Sequence, residues 1–353
     1  MGWLNGVTIC GEKGAYFREG MIEDYITMNT GIAYPVKYTA ETNQVKFVLH
    51  WFRQIFPDDE LFEYFLKDSA SLLYGKNSEK MFRMWIGKAG NNSKSMLIKL
   101  ITKTLGEYCV TFPTTILCKS FNSDSGLNPA LAQVKGAHLG IISEADETDE
   151  IMGGKLKRMT GGDDMFARGC GDNGGAIQAF YKLIYMANEV PPILGLDKAI
   201  EDRLAYLPFL SVWSMDAPET EAEQFKLRTF KMDYSFDEKI PSLCSAFAWI
   251  MLNNFSKYKI EKLRKPKIVI EYTQQYWKDN DPYRTFIIDV LELDENNEFN
   301  TSDLYPHFKA WYGNNFPQTK TPISKIFTKI MQETTHLGPL NEDRKWIGYR
   351  IKE

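Results

Sequence analysis

The stretch GKAGNNSKS, Gly87 to Ser95, lies between the apolar run FRMWI (82–86) and the helical pattern KSMLIKLITKTLG (94–106). A turn between a strand and a helix is where a chain can cradle phosphates. Successive N–H groups point into a concavity, and the helix adds its positive N-terminal end. The sequence pattern for such a loop is G-x-x-x-x-G-K-[ST]. Lys94-Ser95 supplies the ending, but Ser93 stands where the second glycine belongs and Gly87 comes one place early. Gly87 and Gly90 permit the required backbone, and Asn91 and Asn92 tolerate left-handed conformations. Ser93 must then take up a strained conformation, or the loop must differ. In a working loop Lys94 places a point charge between β- and γ-phosphates and Ser95 ligates Mg²⁺. The alternative is a polar connection without a ligand.

Three further stretches bear on the choice. HLGIIS (138–143) is a buried-type strand that runs into EADETDE. Nucleotide hydrolysis needs a carboxylate at such a strand end, with Glu144 the candidate base and Asp146 an assistant through the metal; a solvated acidic turn is the alternative. KLIYMA (182–187) ends at Asn188, whose amide can position water opposite a γ-phosphate; an ordinary turn before Pro191-Pro192 is the alternative. Arg203 precedes the apolar run LAYLPFLSV (204–212) and can stabilise transition-state charge on a neighbouring subunit. Its alternative is a surface ion pair with Glu201 or Asp202. Strands alternating with helices predict an α/β fold on a parallel sheet.

Helical spacing predicts helices over 41–56, 60–75 and 236–258. The basic stretch 257–267 predicts a linker, and the part beyond it reads as helical with a terminal strand at 345–351. The chain has 353 residues, 44% hydrophobic and 25% charged, with a net charge of −4. No apolar run reaches the roughly 18 residues of a membrane helix, and no signal peptide is expected. Five scattered cysteines without a C-x-x-C pair argue against disulfides and a zinc site. An acidic chain that binds nucleic acid must focus its positive charge on a small surface.

With these elements in order, the chain resembles the superfamily 3 helicases. In particular it resembles the helicase part of the primase–helicases of large nucleocytoplasmic DNA viruses (poxvirus, African swine fever virus, giant viruses) and of related phage and plasmid primases. The motifs that carry this are GKAGNNSKS (87–95), IISEAD (141–146), LKRMTGGDDMFARG (156–169) and YMANEVPPILGLDKAIEDRLAYLPF (185–209). Asp202 stands where many relatives carry a first arginine of a pair, which leaves Arg203.

The resemblance implies a modified AAA+-type P-loop NTPase core with a central parallel sheet at 79–258. It also implies a largely helical, collar-like N-terminal region at 1–78 and a winged-helix-like domain at 259–353. It further implies a homo-hexameric ring that moves 3′ to 5′ on single-stranded or forked DNA, with ATP and Mg²⁺ between subunits. One subunit then supplies Gly90 to Ser95, Glu144 and Asn188, and its neighbour Arg203. A DNA-gripping hairpin is expected within FARGCGDNGGAIQAF (166–180), its turn at Asp172, Asn173 and Gly174, with Arg168 and Lys182 the nearby cations. A viral replication factory in the host cytoplasm is the implied location, without a membrane. Two rival expectations are a DNA-binding module on an inactive scaffold and an assembly platform. The platform would dock polymerase or processivity proteins through Tyr305, Phe308, Trp311 and Tyr312. Those four residues at helical spacing also fit plain core packing.

Overall fold

The computed structural model describes residues 1–12, 14–118, 131, 134–143, 150–162, 164–167, 175–178, 180–195, 197–317, 320–333, 337, 340–343 and 345–352. They form two compact units, Met1–Thr273 and Gln274–Glu353. The first unit opens with an antiparallel sheet of β1 (Gly2–Trp3), β2 (Gly6–Cys10) and β3 (Ala15–Arg18), followed by α1 (Asn43–Ile55) and α2 (Asp59–Ser71). Then come β4 (Phe82–Ile86), α3 (Lys94–Leu105), β5 (Cys109–Phe112), β6 (Leu139–Ser143), β7 (Ile151–Met152) and α4 (Gly153–Gly161). A hairpin of β8 (Asp164–Ala167) and β9 (Gly175–Gln178) leads to β10 (Lys182–Ala187), β11 (Ile193–Leu194), α5 (Lys198–Glu201) and β12 (Leu204–Pro208). An excursion of β13 (Val212–Ser214), α6 (Glu221–Leu227) and β14 (Thr229–Lys231) precedes the long α7 (Phe236–Glu261) and α8 (Lys267–Asp279).

The central sheet has the order β12-β4-β10-β6-β5, and every neighbouring pair is parallel. Such a sheet is covered on both faces, so its strands read as unbroken apolar runs rather than alternations. FRMWI is buried at all five positions. The chain leaves β4 toward β5 at one edge and later returns past it to β12 at the other. That reversal opens a crevice at the carboxyl ends of the strands, where ligands of open α/β sheets bind. Here those ends are Ile86, Ser143, Ala187 and Pro208.

Helices α1, α2 and α3 pack on α7, and one core joins them to the sheet: Val48, Phe52, Phe65, Leu97, Ile141 and Phe247 all belong to it. Helix α1 contributes Val45, Val48, Phe52 and Ile55 from one face. At α2 the Asp58 carboxylate caps the first turn by accepting from Leu61 N at 2.9 Å. A charged pair lies deep in this layer: Arg83 Nε of β4 donates to both Asp68 oxygens of α2 at 2.8 and 3.0 Å.

Residues 1–78 open with the β1–β3 sheet before their two helices, and α1 and α2 share one core with the central sheet. The division falls at 273, not 258, because α7 runs to Glu261 and the first half of α8 belongs to the first core. Val269 is buried there, and Thr273 Oγ1 accepts from Tyr206 N of β12 at 3.0 Å. The strand expected over 204–212 stops at Pro208, whose missing N–H suits the end of an edge strand.

The second unit contains α9 (Pro282–Val290), β15 (Leu291–Asn300), α10 (Thr301–Asn315), α11 (Ser324–Glu333) and β16 (Lys345–Ile351). β15 and β16 pair antiparallel with an irregularity between Asp294 and Glu298. Phe286, Phe308, Phe327 and Trp346 centre its core. Phe308 and Tyr312 are buried in it and Tyr305 and Trp311 pack against it, which is the core-packing alternative for that stripe. Among the described residues no helix is long and apolar enough to cross a membrane.

The Arg83–Asp68 pair yields a stability prediction. Arg83→Met leaves a buried carboxylate without its cation and should cost about 3–5 kcal/mol, read by urea unfolding. The double variant Arg83→Met/Asp68→Leu should recover most of that loss. Equal destabilisation by single and double variants would show that packing volume, not the uncompensated charge, sets the cost.

Candidate active site

The crevice at the carboxyl edge holds the Gly87–Ser95 loop. Two residues in it take left-handed backbone, Asn91 at φ 53° and Ser93 at φ 63°. Gly87 and Gly90 do not, so the conformational freedom expected of the glycines is used elsewhere. Gly87 has a steric reason instead: a Cβ there would lie 2.5 Å from Asn92 Nδ2 and 3.0 Å from the Phe209 backbone oxygen. Gly90 has open space around it. Ser93 therefore does what a glycine would do, at a cost of roughly 1–2 kcal/mol for a left-handed L-residue. It sits as the N-cap of α3 with no side-chain cap bond.

The Asn92 side chain braces this conformation. Its Nδ2 donates to Gly87 O at 3.1 Å and to Ala89 O, and its Oδ1 accepts from Lys94 N at 3.4 Å. Asn92 is buried, so its side chain shapes the loop rather than facing a ligand. Asn91 is exposed, and its carbonyl accepts from Trp213 N of β13 at 2.9 Å. Ser95 is exposed in the first turn of α3.

Lys94 is 8% exposed. Its Nζ donates to Gly87 O at 2.9 Å and to Asn188 Oδ1 at 3.3 Å. Burial pushes its pKa down to about 8, since desolvation disfavours the charged form. The structure thus joins the first and third sequence motifs in a single contact. They lie 94 positions apart in the chain, and β4 and β10, paired from Phe82↔Leu183 to Ile86↔Ala187, bring them together. Among the described residues the amine is held by two neutral oxygens, at the start of a helix whose N-terminal end favours an anion.

Arg203 lies elsewhere. Its carbonyl accepts from Phe82 N at 2.8 Å, which fixes it at the amino edge of the sheet. Five-residue strands separate it from Gly87 and Asn188, about 16 Å at ~3.3 Å per residue. It is therefore not part of its own chain's crevice, and its Nη1 donates to Ala199 O.

The hairpin between β6 and β10 is present in its arms, with Asp164↔Gln178 to Ala167↔Gly175 in register. Its expected contacts Arg168, Asp172, Asn173 and Gly174 lie outside the described residues, as do Glu144 and Asp146. β6 delivers the chain toward the acidic motif with Ser143 paired to Met186. Lys182 is a correction. It is fully buried at the start of β10, and its Nζ donates to Tyr74 O at 2.7 Å and Lys76 O at 2.5 Å, so it ties strand to loop and cannot meet DNA phosphate.

No family model matches the chain. The protein named "Putative helicase 184R" of Invertebrate iridescent virus 6 is 30% identical over 330 residues, 88% of this chain and 34% of that protein. "Putative helicase L207/L206" of Acanthamoeba polyphaga mimivirus is 31% identical over 337 residues, 94% of this chain and 35% of that protein. "Putative primase C962R" of African swine fever virus is 23% identical over 329 residues, 89% of this chain and 33% of that protein. The chain thus spans about a third of the length of the curated relatives it matches. Among solved structures, the apo structure of the NrS-1 C terminal region aligns with a TM-score of 0.48 at 16% identity, covering 89% of this chain and 77% of that one.

The strained serine gives the local test. Ser93→Gly relieves the left-handed cost, offset in part by the larger chain entropy of glycine. The variant should unfold at higher denaturant, by up to about 1 kcal/mol. A less stable variant would mean that the Ser93 hydroxyl holds the loop.

Proposed function

The chain belongs to the family of viral proteins named as helicases and primases to which it aligns, and we propose that it is the ATP-driven motor segment of such a protein, a superfamily 3 DNA helicase that works as a homo-hexameric ring. The observation that carries this is the contact of Lys94 Nζ with Asn188 Oδ1 at the carboxyl edge of a parallel sheet, directly before the first turn of α3. A triphosphate is the ligand that such a partly desolvated amine lacks.

In this reading the loop N–H groups and Lys94 bind the β- and γ-phosphates and hold them in line for attack. Asn188 exchanges its bond to Lys94 for one to the attacking water or the terminal phosphate. Glu144, at the motif that follows β6, takes the proton of that water. The exposed Ser95 hydroxyl, with Asp146, fits a Mg²⁺ ion, which neutralises phosphate charge when bound. Arg203, remote from its own crevice, stabilises transition-state charge on the next subunit. A ring follows when one head-to-tail contact repeats and closes. The β8–β9 hairpin is the element that follows single-stranded DNA through the pore, by backbone charge and without sequence preference. The second unit, with its helices and antiparallel pair, acts as a winged-helix-like accessory domain. The host cytoplasm is the place of work.

The test is ATP turnover stimulated by single-stranded DNA. Lys94→Ala should abolish it. Arg203→Ala should lower it by about 10³-fold or more. Mixing the two inactive variants should restore part of the turnover, because a mixed interface pairs an intact Lys94 with an intact Arg203. Wild-type turnover by Lys94→Ala would overturn the assignment of the site. Failure of the mixture to recover, with mixed assemblies present, would remove Arg203 from it. DNA binding that persists with no turnover in the wild type would favour the inactive-scaffold alternative.

A further inference from the structure

A cavity of about 340 Å³ opens beside the loop, within the range of small-molecule sites. Asn91 through Met96 line it, so it shares the loop and Lys94 with the crevice. Its walls come from three places far apart in sequence. Trp51 of α1 is 3% exposed and packs on Phe236 of α7 at a centroid distance of 4.5 Å. Trp213 of β13 is fastened to the loop through its N–H bond to Asn91 O. Tyr234, between β14 and α7, also lines it and is 80% exposed.

Charge and aromatic surface lie on different sides of this cavity: Lys94 lines it from the loop, and Trp51 and Trp213 line it from α1 and β13. Asp233 and Asp237 also line it, and each is ion-paired, Asp233 with Lys239 and Asp237 with Lys99. The aromatic walls suit a flat neutral ring. A nucleotide is charged at one end and aromatic at the other, and the crevice and cavity divide in the same way. We propose that the cavity is the nucleoside subsite of the nucleotide, that it takes a purine base, and that Tyr234 stacks on the base from the open side. This rests on the reading of the loop as a triphosphate site. It also gives a role to the β13–α6–β14 excursion, which the parallel sheet does not need for closure.

The experiment compares Mg²⁺-bound ATP, UTP and inorganic tripolyphosphate by equilibrium binding to the full chain. The wild type should bind ATP more tightly than UTP, because a purine offers the larger stacking face, and more tightly than tripolyphosphate. Tyr234→Ala should weaken ATP binding about tenfold and leave tripolyphosphate binding within about twofold; Tyr234→Phe should match the wild type. Tyr234 is exposed, so folding is not at risk in either variant. Unchanged ATP affinity in Tyr234→Ala, or equal affinity of the wild type for ATP and tripolyphosphate, would overturn the base subsite while leaving the phosphate site standing. No tripolyphosphate binding by the wild type, or equal binding by Lys94→Ala, would reject the phosphate site and the base subsite together.

Discussion

A lysine amine lodged between a backbone carbonyl and an asparagine amide, at the carboxyl edge of a parallel sheet, governs the rest of this molecule. Water is the better solvent for an ammonium group, so burying Lys94 beside Gly87 O and Asn188 Oδ1 lowers its proton affinity. The fold places both partners because Gly87 and Asn188 directly follow adjacent parallel strands paired from Phe82↔Leu183 to Ile86↔Ala187.

The loop works by division of labour. Asn91 and Ser93 provide the left-handed turns, Asn92 locks them from inside, and Gly87 clears space against Phe209. Departure from the common glycine pattern is absorbed because serine can occupy a left-handed position at modest cost when neighbours over-determine it. Below the sheet, buried charges are matched separately. Arg83 meets Asp68, and Lys182 meets two carbonyls at the amino end of β10. Those cations hold layers together and are unavailable to ligands.

Much of this was legible in the sequence wherever apolar runs are continuous. FRMWI and KLIYMA mark their strands to the residue, because a strand buried on both faces leaves an unambiguous signature. The β1–β3 sheet was not legible, since GVTIC and AYFR are short, partly exposed and broken by glycines. β15 was hidden for a related reason: LELDENNEFN is acidic and half-exposed, and pairing with β16 rather than propensity makes it a strand. The misplaced role of Lys182 has the same root. Sequence records a cation beside a turn, whereas burial is decided by Tyr74 and Lys76, more than a hundred positions earlier. The cavity walls Trp51, Trp213 and Tyr234 carry no motif at all and meet only through the tertiary fold.

The most direct measurement is a structure of the chain with Mg²⁺ and a non-hydrolysable ATP analogue. The account predicts the terminal phosphate between Lys94 Nζ and the Asn188 amide, with the Lys94–Asn188 bond broken and the Glu144 carboxyl facing the same phosphate. A nucleotide bound away from the Gly87–Ser95 loop, or a Glu144 carboxyl on another face of the sheet, would contradict it.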